Sequence, residues 1–468
     1  MRCLSIALVF CCATRIVDAQ QSPDALERHL AAAQDAQAHT DCHLAASEYE
    51  AAIRLMPASG ETTGQLRANL GIALYCDRQY ESAVQSLHIA LRLAPALSAP
   101  HLFLGLANYH LANLLGAQHE LTLFLKQSPQ DVTANLWLGY TFLAENEFEA
   151  AQKQFAAALQ LQPSNTDAAY ALGETSLELG RQSASALEKL SPDGSKLLLL
   201  ASDQYRLQGD AVRADAALAE ANRRSQNSPA DPVTFQKEEA LYEQAKAWEA
   251  QAQDAFRSIL HSAPDSYRAH QIMADAFVAM QQQERAIPEY EFVIKADPTL
   301  PGVHESLAQC FVATGRFNDA LAALHTEQSL SPIASARLLT RIGQVQLALG
   351  DTDGAASSLH AAIKDTQAPG QAWLLLARVL MQQKRPAESI PLLQHYLAVE
   401  PNAAAAYYQL ARAYRATGDH AGMTRAMDDF KRTSEDVKAR ALVAPVLRGA
   451  NASYQMKDTT EPPVINEP

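Results

Sequence analysis

Residues 80–95 read YESAVQSLHIALRLAP, and residues 148–163 read FEAAQKQFAAALQLQP. In both, small or apolar side chains recur every three or four places and a proline closes the phrase. That is the pattern of an amphipathic helix stopped by a residue that cannot continue it. The phrase returns at 284–298 as ERAIPEYEFVIKADP and at 317–332 as FNDALAALHTEQSLSP. The closing prolines are evenly spaced: Pro95, Pro129 and Pro163 stand 34 residues apart, and so do Pro264, Pro298 and Pro332. Upstream of each phrase lies a second apolar segment, such as RANLGIALYC (67–76), HLFLGLANYH (101–110), NLWLGYTFLA (135–144) and HESLAQCFVA (304–313). A fixed period of this length predicts stacked helical hairpins, in which no helix buries its apolar face alone.

These units resemble the tetratricopeptide repeat family. The family sets a large residue, Leu, Gly or Ala, then an aromatic along a first helix. Ala, an aromatic and Ala follow along a second helix, and Pro closes the unit. Residues 132–165 carry Leu138, Gly139, Phe142, Ala151, Phe155, Ala158 and Pro163 at those places. Residues 98–131 carry Leu104, Gly105, Ala117, Leu121, Phe124 and Pro129, with the polar Asn108 as a departure. Residues 301–334 offer Leu307, Ala308, Phe311, Ala320, Leu324 and Pro332, and residues 370–403 offer Trp373, Leu376, Ala377, Leu380, Leu393, Tyr396 and Pro401.

The resemblance implies an all-α, right-handed superhelical solenoid of about twelve helix-turn-helix units, starting near 26, 64, 98, 132, 166, 195, 233, 267, 301, 336, 370 and 404. The unit at 166–194 is short, with its second helix expected around SASALEKL, and the next carries the polar loop RRSQNSPADP. The expected organisation is an N-terminal sub-array (26–194), a divergent repeat and connecting loop (195–232), a C-terminal sub-array (233–437), and a cap with a proline-rich polar tail (438–468).

The chain of 468 residues carries 38 Lys and Arg against 52 Asp and Glu, a formal net charge of −14. Phosphate binding needs a basic footprint, so nucleic acid is not the expected partner. Hydrophobic residues at 48% exclude a disordered chain, while charged residues at 19% and abundant alanine suit close helix contacts. At the amino terminus Arg2 precedes the uncharged apolar stretch from Leu4 to Ala13, and Val17 and Ala19 are small residues placed for cleavage. Residues 1–19 therefore read as a signal peptide, too short to span a bilayer. The mature protein is expected to be exported, periplasmic or extracellular, with no transmembrane segment.

Of the cysteines, Cys42, Cys76 and Cys310 lie beyond that segment. Three scattered thiols exclude a disulfide scaffold; buried free thiols are the expectation, with a Cys42–Cys76 bridge as the alternative. His39, Cys42 and His43 in HTDCH form the tightest potential metal-binding group, but no nearby carboxylate completes a site. DTDG at 351–354 reads as the turn between two helices and lacks the remaining ligands of a calcium loop. With no HExxH, GxSxG or glycine-rich phosphate loop, and nearly every residue taken up by repeats, the chain is not expected to be an enzyme or to hold a cofactor or metal.

The resemblance further implies that residues two, five, nine and twelve places into each unit line an inner face. In the early units these include Ile72, Tyr75, Leu102, Leu106, Tyr109, Leu136 and Tyr140; in the late units, Arg268, Gln271, Arg337, Gln344, Arg378, Tyr408, Arg412 and Arg415. The candidate contact residues are accordingly Tyr75, Leu102, Tyr109, Tyr140, Arg268, Arg337, Arg378, Tyr408, Arg412 and Arg415. Aromatics give large contact area at small entropic cost and arginines suit carboxylates, so the partner is expected to be a protein or extended peptide with acidic groups. The family's carboxylate clamp needs Lys and Asn where this chain has Ala68, Ile72, Leu102 and Leu106, which does not match. The expected function is that of an adaptor or scaffold, with a structural subunit of an envelope or secretion complex as the alternative. Whether two copies pair is open.

Overall fold

The computed structural model describes residues 23–192, 194–227, 231–330, 335–365 and 368–439. The expected signal peptide (1–19) lies outside them, as does all of the expected cap and tail beyond residue 439. The chain divides into two compact units, one up to Ser176 and one from Leu177.

The first unit holds α1 (Pro23–Ala38), α2 (Cys42–Arg54), α3 (Glu61–Cys76), α4 (Tyr80–Leu93), α5 (Ala99–His110), α6 (Leu114–Gln127), α7 (Val132–Ala144), α8 (Phe148–Leu161) and the start of α9 (Thr166–Leu190). The second holds the rest of α9 and then α10 (Ser195–Leu207), α11 (Ala211–Asn227), α12 (Pro232–Ser262), α13 (Tyr267–Ala279), α14 (Gln283–Ala296), α15 (Val303–Ala313), α16 (Phe317–Leu330), α17 (Ala336–Ala348), α18 (Thr352–Ala362), α19 (Gly370–Gln382), α20 (Pro386–Val399), α21 (Ala404–Thr417) and α22 (His420–Ala439). From α1 to α8, and again from α13 to α22, each helix packs on the one before and the one after. The protein is an all-α solenoid of roughly a dozen repeats.

Each hairpin turns by one residue in the left-handed region. In the first unit these are Thr40, Arg78, Ala112 and Asn146, at φ of 58°, 60°, 57° and 61°. In the second they are Gly209, Gln281, Gly315, Gly350, Lys384 and Gly418. From Arg78 to Asn146, and again from Gln281 to Gly418, the turn returns at intervals of 34 or 35 residues. At some of these turns a short polar side chain then caps the next helix: Asn113 caps α6 by accepting from the Gly116 amide, and Asp351 caps α18 by accepting from Gly354. The DTDG segment is therefore a helix-capping turn, as its register predicted.

The period is missed twice, and both places overturn an expected hairpin. One period after Asn146 stands Gly180, yet α9 runs unbroken through it for 25 residues. One period before Gln281 stands Ala247, and α12 runs through it for 31 residues. Ala247 lies within KAWEAQAQ, which contains mostly strong helix formers and no residue suited to a positive φ. At Gly180 helix α9 passes α12 at ordinary contact distance: a Cβ there would lie 3.6 Å from both the Ala245 carbonyl oxygen and Trp248 Cβ of α12. Polar pairs join α12 to α10, with Lys246 donating to Asp203 at 2.6 Å and Gln204 to Glu249 at 2.8 Å.

Within the regular hairpins the first helix presents glycine where the second presents a large side chain. A Cβ at Gly105 would stand 2.5 Å from Leu121 Cγ, and one at Gly139 would stand 2.5 Å from Phe155 Cε1. Leu121 and Phe155 are fully buried. A polar latch recurs as well. His29, His101 and His270 each bond a glutamate 19 residues later, Glu48, Glu120 and Glu289, at 2.6 Å.

Cys42 and Cys76 form a disulfide with Cα atoms 5.6 Å apart, which corrects the expectation of free thiols there. Their separation of 34 residues is one repeat, so the start of α2 meets the end of α3. Next to the bridge, His43 Nδ1 lies 3.0 Å from Asp77 Oδ2 across the same interval. Cys310 is buried and free.

Candidate functional site

In the first unit the register brings Tyr75, Tyr109 and Tyr140 into one run of rings. Tyr75 lies edge-on to Phe103 at 5.6 Å, and its hydroxyl is 3.4 Å from His110 Nε2. Tyr109 meets Trp137 edge-on at 5.1 Å, and Trp137 meets Tyr140 at 5.8 Å. His110 ties the run together, stacked on Tyr80 at 4.6 Å and 5.4 Å from Trp137. Leu102 and Trp137 pack against the same buried clusters. The tyrosines, His110, Trp137 and Leu102 are half-buried, whereas Phe103, Ile72 and Leu106 are buried in the core.

Burial, with the charge of Arg78 second, pushes the His110 pKa down to about 4, so the ring is neutral near pH 7. Burial likewise raises Tyr75 and Tyr109, which keep their protons. The surface therefore offers flat apolar faces with hydroxyl and imidazole edges, and no ionised ring. His110, Trp137 and Tyr80 fall outside the positions used to predict the site. The aromatic clusters NYH (108–110) and LWLGY (136–140) were the available signal.

In the second unit the predicted residues separate into three kinds. Arg268 is buried, its guanidinium donating to Gln271 at 2.7 Å and lying over Tyr267. Arg337 is exposed but donates to the buried Glu305 at 3.0 Å, a carboxylate it shares with Arg341. Arg378, Arg412 and Arg415 are exposed and have no ion pair among the described residues; Arg412 donates only to Gln409, at 3.2 Å. Tyr408 is 45% exposed, with Phe430 5.6 Å away.

Two contacts join such positions of neighbouring repeats. Arg337, second in its repeat, reaches Glu305, fifth in the preceding one. Gln371, second in its repeat, donates to Gln344, ninth in the preceding one, at 3.5 Å. Gln371 and Arg378 are seven residues apart on α19 and so lie on one side of it. These positions offer amide donors and acceptors and guanidinium forks, and the carboxylates among them, Glu305 and Asp275, are engaged, by Arg337 with Arg341 and by the Tyr290 hydroxyl.

The HTDCH group does not form a metal site: Cys42 is in the disulfide, His39 bonds the Asp35 carbonyl at 2.8 Å, and His43 bonds Asp77. Among the described residues no three His, Cys, Asp or Glu side chains converge to hold a metal. No described helix is long and apolar enough to cross a membrane.

The tetratricopeptide repeat family profile matches residues 138–192, 273–332 and 340–398. Among curated proteins none matches the chain in sequence. Of solved structures, a tetratricopeptide repeat protein from Parabacteroides merdae is 17% identical, with 68% of this chain and 98% of that one covered at a TM-score of 0.39. MamA is 22% identical over 37% of this chain and 93% of its own, with a TM-score of 0.32. YrrB, described as having an unusual peptide-binding site, is 14% identical over 40% of this chain and 97% of its own, with a TM-score of 0.34.

Proposed function

We propose that this tetratricopeptide-repeat protein is an adaptor that holds an extended, acidic segment of a partner protein along the first helices of its C-terminal repeats. The observation that carries this reading is the set of exposed arginines, Arg378, Arg412 and Arg415, that make no ion pair among the described residues and hold the ninth and twelfth positions of successive repeats. In a chain of net charge −14, such exposed, unengaged arginines are suited to an external carboxylate. The glutamine amides can bond a strand-like backbone, which otherwise loses hydrogen bonds to water on docking. In the first unit the aromatic run of Tyr75, Tyr109, Trp137 and Tyr140 supplies a separate surface for apolar side chains.

An exposed arginine–carboxylate pair contributes about 0.2–1 kcal/mol, so three together alter affinity by roughly 0.6–3 kcal/mol. Isothermal titration with an acidic peptide, glutamate-rich and free of aromatics, tests this. The triple substitution Arg378→Glu, Arg412→Glu and Arg415→Glu should weaken binding at least about threefold, and added salt should weaken the wild type more than the variant. Equal affinity of the two proteins would refute the reading.

The protein acts in this reading after export. The Cys42–Cys76 bridge supports that, because such bonds persist in oxidising compartments. Mass spectrometry of the protein from its native source should find an amino terminus near Gln20, and an intact Met1 would overturn the location.

A further inference from the structure

The two sulfurs of the disulfide stand in unlike surroundings. Cys42 is the first residue of α2, where unpaired amide groups and the positive helix end stabilise a thiolate. Cys76 is the last residue of α3, where unpaired carbonyls oppose one. The charged groups nearby are Asp41, His43, Asp77 and Arg78. Asp41 caps α2 by accepting from the Leu44 amide, and its negative charge works against a Cys42 thiolate. His43 works the other way, since its hydrogen bond to Asp77 raises its pKa and favours the imidazolium beside Cys42. Asp77 directly follows Cys76, where its carboxylate disfavours a second anion.

Access is unequal too. Cys76 is exposed, whereas Cys42 is half-buried. The contact between α2 and α3 does not depend on the bond alone, because Ala45, Ala46, Tyr49 and Ile53 pack with Leu66, Leu70, Ala73 and Leu74 in one buried cluster. The link can therefore open while the repeats stay in contact.

We propose that Cys42–Cys76 is a thiol–disulfide exchange site, entered at Cys76 and opened with Cys42 as the leaving thiolate, and that its reaction partner is a dithiol protein. An incoming thiolate forms a new bond to Cys76 Sγ as the Cys42–Cys76 bond breaks, and the bonding pair leaves with Cys42 Sγ. The reagent's second thiolate then attacks its own sulfur in the mixed disulfide, and Cys76 departs as a thiolate that takes up a proton from water. The protein gains two electrons, and the partner leaves as its disulfide. Oxidation of the protein by a disulfide-bearing partner retraces these steps.

Glutathione serves as the probe, since a monothiol stops at the mixed disulfide. The full-length oxidised protein is incubated with reduced glutathione near pH 7, quenched with acid and peptide-mapped by mass spectrometry. The adduct should sit on Cys76 with Cys42 free. After complete reduction, iodoacetamide at the same pH should alkylate Cys42 at least about tenfold faster than Cys76. The buried Cys310, whose pKa burial pushes up to about 11, is the internal control and should stay unmodified. Unchanged far-ultraviolet circular dichroism on reduction keeps the comparison within the folded state. An adduct on Cys42, equal alkylation rates, or a bond that yields only when the helices melt would each overturn the proposal.

Discussion

Two glycines inside helices should answer the same substitution with opposite signs. Replacing a helical glycine by alanine ordinarily stabilises a chain by about 0.8–1 kcal/mol through backbone propensity. At Gly139 that gain is overridden. The new Cβ would lie 2.5, 2.7 and 3.0 Å from three ring atoms of Phe155, a fully buried side chain that cannot yield by turning a flexible end. Overpacking of this sort costs about 1–3 kcal/mol, and at a rigid ring the upper part of that range applies. Gly139→Ala should therefore lose about 1–2 kcal/mol net. At Gly180 the added methyl meets neighbours at 3.6 Å, ordinary contact, so Gly180→Ala should gain up to about 1 kcal/mol. Because repeat arrays open in parts, amide hydrogen exchange is the informative assay, read in α7 and α8 for the first variant and in α9 for the second. Adding Phe155→Leu to Gly139→Ala should recover at least about 1 kcal/mol relative to additivity. Exchange in α7 and α8 no faster than in the wild type, or faster exchange in α9 of Gly180→Ala, would refute the packing argument.

Cys76→Ser removes a closed loop of 34 residues, for which chain entropy gives about 3.8 kcal/mol as an upper value; exchange in α1 and α2 should quicken while α7 and α8 keep their protection. Ala112 sits at φ 57°, where a left-handed alanine costs about 1–2 kcal/mol against roughly 0.5–1 for the entropy of glycine, so Ala112→Gly should raise stability by about 0.5–1 kcal/mol in urea unfolding. His110 titrates near 4 folded and 6.5 free, so the unfolded chain binds the extra proton within that window and stability falls as pH drops through it. Between pH 7.5 and 5 the loss should reach about 2 kcal/mol in exchange of α5 amides, and His110→Gln should largely flatten the profile.

The period was readable because it rests on chemistry that leaves marks: prolines after second helices, and glycine or alanine where two helices touch. The missed turns left no such mark. Gly180 is the residue that usually announces a left-handed break, yet α9 continues through it and packs there beside Ala245 and Trp248, residues from a distant part of the chain. The Cys42–Cys76 bond was open to inference, since two residues one period apart in adjoining repeats come close. At the candidate site, register alone placed Tyr75, Tyr109 and Tyr140, which face the same way on successive helices. Trp137 and His110 escaped because they stand just off that register and turn toward it through ring contacts. The burial of Arg268 was hidden for a similar reason: it depends on Gln271 being close enough to satisfy the guanidinium.

The recurring left-handed residue also bears on how such a gene can change length. Between Arg78 and Ala112 lies one full interval, as between Ala112 and Asn146. Excising residues 98–131, or copying them in tandem, would deliver each later helix to its predecessor with the same side chains in apposition. A cut that is not a whole number of intervals would rotate glycine away from the leucine or phenylalanine that fits it. The stretch from Thr166 to Ser262 has no such freedom, because α9 and α12 run through the places where the chain would otherwise turn. Duplication and loss can therefore act on either side of that stretch, while the stretch itself must be inherited whole.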